Sequence, residues 1–357
     1  MALEKLLNLL KYAPPLPYVE KYQFVPLLLQ ETLQEPTPCS VENNMNNTEE
    51  NNQSIAKRLW IYQSERFPLL GYALMTTAFT FSAISYSRLS RGEEGFIDFK
   101  LFIIGAITSF IFFFLLRLFD EFKDYEKDSI YQPYRPVPRG LVSLNEIKWI
   151  IIIIISIQIT LNAIFMPVML IAYASVMAYM FLMNKEFFCK NWLLQHPIIY
   201  MLSHMFIMPL IDFYTTGLDW LNYEVKPSKG LIVFLVITFL NGIVIEIGRK
   251  IRTKEDEENG VETYSNIFGT EKATIIWLII IYCTCILSFI ACYFAGFILE
   301  AAPFLTIFVI ACSLPAIIFL KYKTSKAAKN IELASGIWTI LMYLTLGGVP
   351  MMIKLII

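Results

Sequence analysis

Five acids crowd residues 120–128: Asp120, Glu121, Asp124, Glu126 and Asp128, with only Lys123 and Lys127 between them. A long apolar run precedes them, and Arg117 stands just ahead. If the helix of that run continues, a turn of about 100° per residue puts Arg117, Glu121, Asp124 and Asp128 within about 60° of one another, with Asp120 at the margin. Carboxylates on one stripe repel each other unless cations lie between them. Their oxygens suit Mg²⁺, which keeps several waters and bridges to substrate phosphates. Arg117 on the same stripe suits a phosphate or a carboxylate. The plain alternative is a solvated helix end, with Asp120–Lys123 and Asp124–Lys127 as i,i+3 pairs. Acids at a helix C-terminus, however, oppose the helix dipole.

A second charged stretch, "EIGRKIRTKEDEENGVETYSNIFG", runs from Glu246 to Gly269. On a continuing helix Glu246, Arg249, Lys250, Thr253 and the pair Asp256/Glu257 share a face. Glu246 falls inside an apolar segment, where an ionisable residue is a candidate for function. The alternative is that it pairs with Arg249 or Lys250 for insertion. Both stretches mix carboxylates with basic residues, which suits a diphosphate held through Mg²⁺ bridges and Arg/Lys clamps. Arg66 in "SERFPLLG" is a further diphosphate candidate, against the alternative of an interfacial, snorkelling arginine.

Membrane segments must position these residues. The chain has 357 residues, 56% hydrophobic and only 17% charged, well below the roughly 25% of a soluble domain. Apolar runs of about 18 or more residues span a bilayer, and nine are expected: 68–87, 99–119, 147–165, 168–184, 197–214, 230–248, 273–294, 297–320 and 334–353. Only Met166-Pro167 separates the third from the fourth. The run from Trp149 to Met183 is too long for one crossing, so a hairpin is expected. The fold class is therefore an all-α integral membrane protein of about nine transmembrane helices around a central cavity. Residues 1–60 form a preface. Within it 3–12 suit a surface helix, and Asn/Glu-rich Ser40–Ser54 suits disorder. Residues 61–357 form the membrane domain.

With the N-terminus cytoplasmic, the loops on that side carry 17 Lys/Arg and the other side carries 6. The positive-inside rule then places the N-terminus, both acid-rich loops and the cavity mouth in the cytoplasm, and the C-terminus opposite. A net charge of −1 without a basic block offers nothing to nucleic acid. Four of the six cysteines (Cys283, Cys285, Cys292 and Cys312) lie in apolar runs and are expected to be structural.

The spacing Asp120-Glu121-x-x-Asp124-x-x-x-Asp128, followed by Arg135-Pro136-Val137-Pro138-Arg139-Gly140, resembles the first motif of the UbiA superfamily of intramembrane prenyltransferases. That motif reads Asn-Asp-x-x-Asp-x-x-x-Asp with an Arg-Pro-x-Pro-x-Gly tail. The second stretch resembles the family's looser Asp-x-x-x-Asp motif, whose closing Gly and Phe-Gly match Gly260 and Phe268-Gly269. The resemblance spans about residues 60–355 and implies Mg²⁺-dependent ionisation of an allylic isoprenyl diphosphate, with the prenyl group passed to a small, lipidic or aromatic acceptor. It also implies roles. Asp124, Asp128, Asp256 and Arg252 would be catalytic. Asp120, Glu121, Asp124, Asp128, Asp256, Glu246 and Glu257 would hold metal. Arg117, Arg135, Arg249, Lys250 and Arg66 would bind diphosphate.

Two departures mark a divergent branch. Asp120-Glu121 replaces Asn-Asp, which keeps oxygen ligands. Arg252 stands where the second motif's first Asp is expected. Either Glu255, Glu257 or Glu246 supplies the missing oxygen, or Arg252 binds diphosphate itself. Candidate cavity residues are Tyr72, Phe79, Phe119, Tyr173, Tyr179, Tyr200, His204 and Asp212. Of these, Asp212 is expected to be interfacial and His204 a packing residue. A rival function on the same fold is a terpene cyclase, which quenches the cation without an acceptor. A remote one is an ion-coupled transporter, which predicts acids at helix centres and inverted repeats. The acids here cluster at one face and no repeat is evident.

Overall fold

The computed structural model describes residues 54–258 and 261–356. The expectations for residues 1–53 and for Gly260 lie outside the described residues. Among the described residues nine helical stretches are long and apolar enough to cross a membrane, and they match the expected runs in order and place.

Helix α1 (Ile55–Arg66) crosses the expected preface boundary at residue 60 and leads into α2 (Leu69–Arg91), the first span. Gly92 ends α2 in the left-handed region at φ 75°, where a side chain would be strained. Asp98 caps α3 (Phe99–Lys123) by accepting from the amides of Lys100 and Leu101. The short α4 (Tyr125–Tyr131) follows a break at Asp124. Ser143 and Glu146 form a capping box on α5 (Leu144–Phe165). The expected hairpin break is present. Met166 ends α5, Pro167–Met169 makes one 3₁₀ turn, and α6 (Leu170–Asn184) returns.

After α7 (Lys190–Gln195), α8 (Pro197–Met205) and α9 (Ile207–Trp220) form the fifth span. The sixth is α10 (Leu231–Gly248), followed by short α11 (Tyr264–Phe268). Helices α12 (Thr270–Ala295) and α13 (Ile298–Tyr322) are the seventh and eighth spans. In the ninth, a π-helical turn at Leu344–Gly348 joins α14 (Ser325–Tyr343) to α15 (Val349–Ile356).

The outside of the bundle is greasy: Leu74, Ile171, Ile232 and Leu299 are all exposed. Lipid is as apolar as those side chains, so burial of them cannot drive association. Small and polar residues do the packing instead. Ser82, Ser85, Thr108, Ser109, Thr284 and Ser288 are fully buried. Thr108 on α3 also anchors a network. Gln158 Nε2 donates to its carbonyl at 2.9 Å and Asn162 Nδ2 to its hydroxyl at 3.2 Å, while Tyr214 OH donates to Asn162 Oδ1 at 2.7 Å.

Two apolar clusters result. One joins α1, α3, α5, α6 and α9, and the other joins α10, α12, α13 and α14. Helix α2 contributes to both, through Ile84 and through Phe79, Ala83 and Tyr86. Lys123 at the end of α3 and Gly248 at the end of α10 lie at the same face of the bundle, since both are even-numbered spans in an up-down order. At the opposite face buried Asp219 ties α9 to α2. It accepts from Ser87 at 2.7 Å, from Arg88 Nη1 at 3.1 Å and from Arg91 Nε and Nη2 at 3.0 Å.

Candidate active site

The first motif divides between two environments. Glu121, 2% exposed, turns toward α1. Its Oε1 accepts from Arg66 Nε at 2.9 Å, Arg117 Nη2 at 3.3 Å and Tyr62 OH at 3.3 Å. Burial, then the Glu121 charge, pushes the Tyr62 phenol above its usual range. Asp128 is held by Arg135 Nη1 at 2.5 Å, with Arg66 Nη2 at 3.9 Å. These two acids are thus engaged by basic residues, and Arg117 and Arg135 act on motif carboxylates.

Asp120 and Asp124 differ. Among the described residues neither carboxylate has an ion-pair or hydrogen-bonding side-chain partner. The expected i,i+3 pairs with Lys123 and Lys127 are not formed. Burial, then repulsion from Asp120 and Asp128, raises the Asp124 carboxyl above its ordinary value. The stripe expected on one straight helix is broken at Asp124, which ends α3 and starts α4.

The second motif does not continue as one helical face. Helix α10 stops at Gly248, and a single 3₁₀ turn, Lys254–Asp256, follows in the loop. Glu246, 7% exposed, pairs with Arg249 Nη2 at 2.5 Å and Lys250 Nζ at 2.8 Å. Lys250 Nζ also lies 5.5 Å from the Tyr264 ring centre. Arg249 is within electrostatic reach of Asp120, so the two halves of the bundle meet here.

Farther out, Asp256 accepts from Thr253 at 2.7 Å, and the hydroxyls of Ser325 and Thr253 hold its carboxyl below the ordinary value. Glu257 accepts from the Thr263 hydroxyl at 2.6 Å. Arg252 binds Glu258 at 2.9 Å and the Asp256 carbonyl at 3.3 Å. Arg252, Asp256 and Glu257 are therefore occupied by Glu258, Thr253, Ser325 and Thr263, while Arg249 of the second motif reaches toward Asp120 of the first.

Three side chains carry geometry that no motif signals. Tyr62 lies ahead of the first span, the spacing casts Lys123 only as a helix-surface partner of Asp120, and Glu186 is a lone acid after the fourth span. Lys123 Nζ sits 3.2 Å from Glu186 Oε1 and 3.2 Å from His204 Nε2. His204 is a packed residue, as expected, with Tyr200 stacked on it at 4.0 Å. Asp212 is not interfacial. It is 4% exposed, bonded by Tyr343 OH and, at 3.4 Å, by Thr215. With Thr76, Phe79, Ser109 and Tyr343 it lines a cavity of about 10 Å³ deep in the bundle. A carboxylate in that apolar setting is tolerated because hydroxyls surround it.

Among the described residues no three Asp, Glu, His or Cys side chains converge to hold a metal unaided. Mg²⁺ does not require that, because it is commonly held by one or two carboxylates together with substrate phosphates and waters. Asp120 and Asp124, neither in contact with a basic side chain, with Arg249 within reach of Asp120, fit such an ion.

The model of the UbiA prenyltransferase family matches residues 73–344. No curated protein matches the chain. A solved structure of digeranylgeranylglyceryl phosphate synthase superposes with a TM-score of 0.55 at 16% identity, covering 81% of this chain and 97% of that one. That likeness concerns the fold, whereas the family match covers most of the chain and both motifs. This multi-pass membrane protein belongs to the UbiA prenyltransferase family.

Proposed function

We propose that the protein is an Mg²⁺-dependent enzyme that ionises an allylic isoprenyl diphosphate inside the membrane and transfers the prenyl group to a small or lipidic acceptor. One observation carries the reading: among the described residues no side chain makes a hydrogen bond or close ion pair with Asp120 or Asp124, while the neighbouring acids Glu121, Asp128 and Glu246 are all in direct contact with basic residues. Mg²⁺, when bound there, supplies positive charge to the leaving diphosphate. Arg249 and Lys250, oriented by Glu246, add donors on the facing side.

The bond between C1 of the prenyl chain and the diphosphate oxygen breaks, and its electron pair leaves with the diphosphate. The allylic cation bonds to the acceptor's nucleophilic atom, which gives up its proton. Separation of two charges dominates the barrier, so stabilisation of the leaving group is where catalysis acts. Arg66 and Arg117 hold Glu121, and through it the end of α3, in register with α1.

The test incubates purified protein with geranyl, farnesyl and geranylgeranyl diphosphates, with and without Mg²⁺, alone and with phenolic and lipid acceptors. Mg²⁺-dependent pyrophosphate release with a prenylated acceptor is expected. A cyclic hydrocarbon or alcohol formed without acceptor would assign the protein to cyclisation instead. No Mg²⁺-dependent consumption of any diphosphate overturns the reading.

A further inference from the structure

Lys123 poses a problem for a metal at Asp120 and Asp124, and the role assigned to its partner Glu186 rests on the metal-dependent reading of that site. Lys123 lies between the two acids on α3, and in an isolated helix it would pair with Asp120 at i,i+3. An ammonium there would occupy the place of the metal. In the structure it makes no close ion pair with either acid and contacts Glu186 instead. Its Nζ lies 3.2 Å from Glu186 Oε1, 3.2 Å from His204 Nε2 and 5.0 Å from the centre of the Tyr200 ring. Tyr200 OH donates to the same Glu186 oxygen at 3.2 Å, and His204 Nε2 is 3.4 Å from the other. Glu186 and Lys123 side chains are 7% and 12% exposed, so water screens the pair little.

The backbone that delivers Glu186 is unusual. Glu186, Phe187 and Phe188 have φ of 48°, 52° and 58°. Residues with side chains seldom enter that region, and three in succession persist only where their surroundings over-determine them. The Phe187 ring packs edge-on against Tyr179 and His204, and Asn184 Nδ2 donates to the Phe119 carbonyl at 3.2 Å. The strained turn is thus pinned to α3 and α8 and places a carboxylate opposite Lys123.

We propose that Glu186 is a positioning residue: with His204 and Tyr200 it holds Lys123 out of ion-pair contact with Asp120 and Asp124, and so keeps those two carboxylates open to a divalent cation. The titratable groups about Lys123 are Asp120 on its own helix, Asp124 at that helix's end, Glu186 after α6, and Tyr200 and His204 on α8.

The test reads metal binding rather than turnover. Electron paramagnetic resonance follows Mn²⁺ titrated into the full-length protein with inorganic pyrophosphate present. Glu186→Gln is expected to weaken Mn²⁺ binding about tenfold, the size of effect seen when supporting groups around a metal site are removed. Lys123→Met added to Glu186→Gln should restore wild-type binding, because the competing ammonium is gone. If Glu186→Gln lowers the melting temperature sharply, Tyr200→Phe with and without Lys123→Met carries the same comparison. Unchanged binding in Glu186→Gln, or a double variant as weak as the single one, overturns the proposal. Asp124→Asn binding Mn²⁺ as tightly as wild type overturns the metal reading itself, and this role of Glu186 falls with it.

Discussion

At the scale of single residues, the first motif divides four of its five acids by partner. Glu121 and Asp128 are bound by arginines, while Asp120 and Asp124 are left open. The open pair carries a cost in the metal-free protein. Burial and two neighbouring acids raise the Asp124 carboxyl in the folded state. A raised folded value contributes stability below the unfolded value, about 3.9, and that contribution is lost as pH rises through the folded value. Asp124→Asn should therefore melt higher than wild type at neutral pH without metal, and its melting temperature should depend less on pH. The same substitution should lower Mg²⁺-dependent turnover by about 100-fold or more. Thermal unfolding across pH, with chelator, checks the first point, and a melting temperature below wild type at neutral pH would refute it.

The partition is only partly legible in the residue spacing. The acids, the arginines and their common face can be read from a 3.6-residue period. Which acid faces which basic residue cannot, because Arg66, Tyr62 and Glu186 are brought in from distant parts of the chain. Asp212 defeats the spacing for a related reason. Its place near the apolar run's end suggests the interface, but that helix runs on to Trp220 and the surrounding hydroxyls bury the carboxylate.

At the scale of elements, the spans follow the expected runs in order and place, and the departure that matters most for the site lies beyond Gly248. There the 3.6-residue pattern of Glu246, Arg249, Lys250 and Thr253 persists on paper while the helix does not. The backbone leaves the helix to let the Lys250 carbonyl accept from the Tyr264 amide at 3.1 Å. That tertiary bond closes the second loop and turns Arg252 outward.

The π-helical turn at Leu344–Gly348 is another element that periodicity does not show. It brings Gly347 against α2, where an added Cβ would overlap the backbone carbonyl of Ser82. A backbone carbonyl cannot rotate aside as a side chain can. Gly347→Ala should therefore push the first and ninth spans apart and cost about 3 kcal/mol. A lowered melting temperature in detergent checks it, and wild-type stability would show that the seam is slack.

At the scale of the whole molecule, charge is distributed unevenly between the two faces. The face with both motifs carries 17 of the Lys/Arg residues counted in loops and helix ends, against 6 opposite. The expected outcome is an N-terminus and motif loops in the cytoplasm and a C-terminus on the other side. In sealed vesicles of known polarity, protease should remove an N-terminal tag from the cytoplasmic side only and a C-terminal tag from the opposite side only. The reverse pattern refutes it.

The sequence by itself determined the membrane character, the number and order of the spans and the chemical type of the two motifs. Those depend on local quantities: apolar run length, helical period and turn residues such as Met166-Pro167. Only the tertiary structure decided which carboxylates stay open, because that depends on partners such as Arg66 and Glu186, 55 and 65 residues away from Glu121 in the chain. In a medium that cannot hydrate an unpaired charge, a buried ionisable group such as Glu121 or Glu186 takes partners from other parts of the fold. A one-dimensional pattern does not contain that choice.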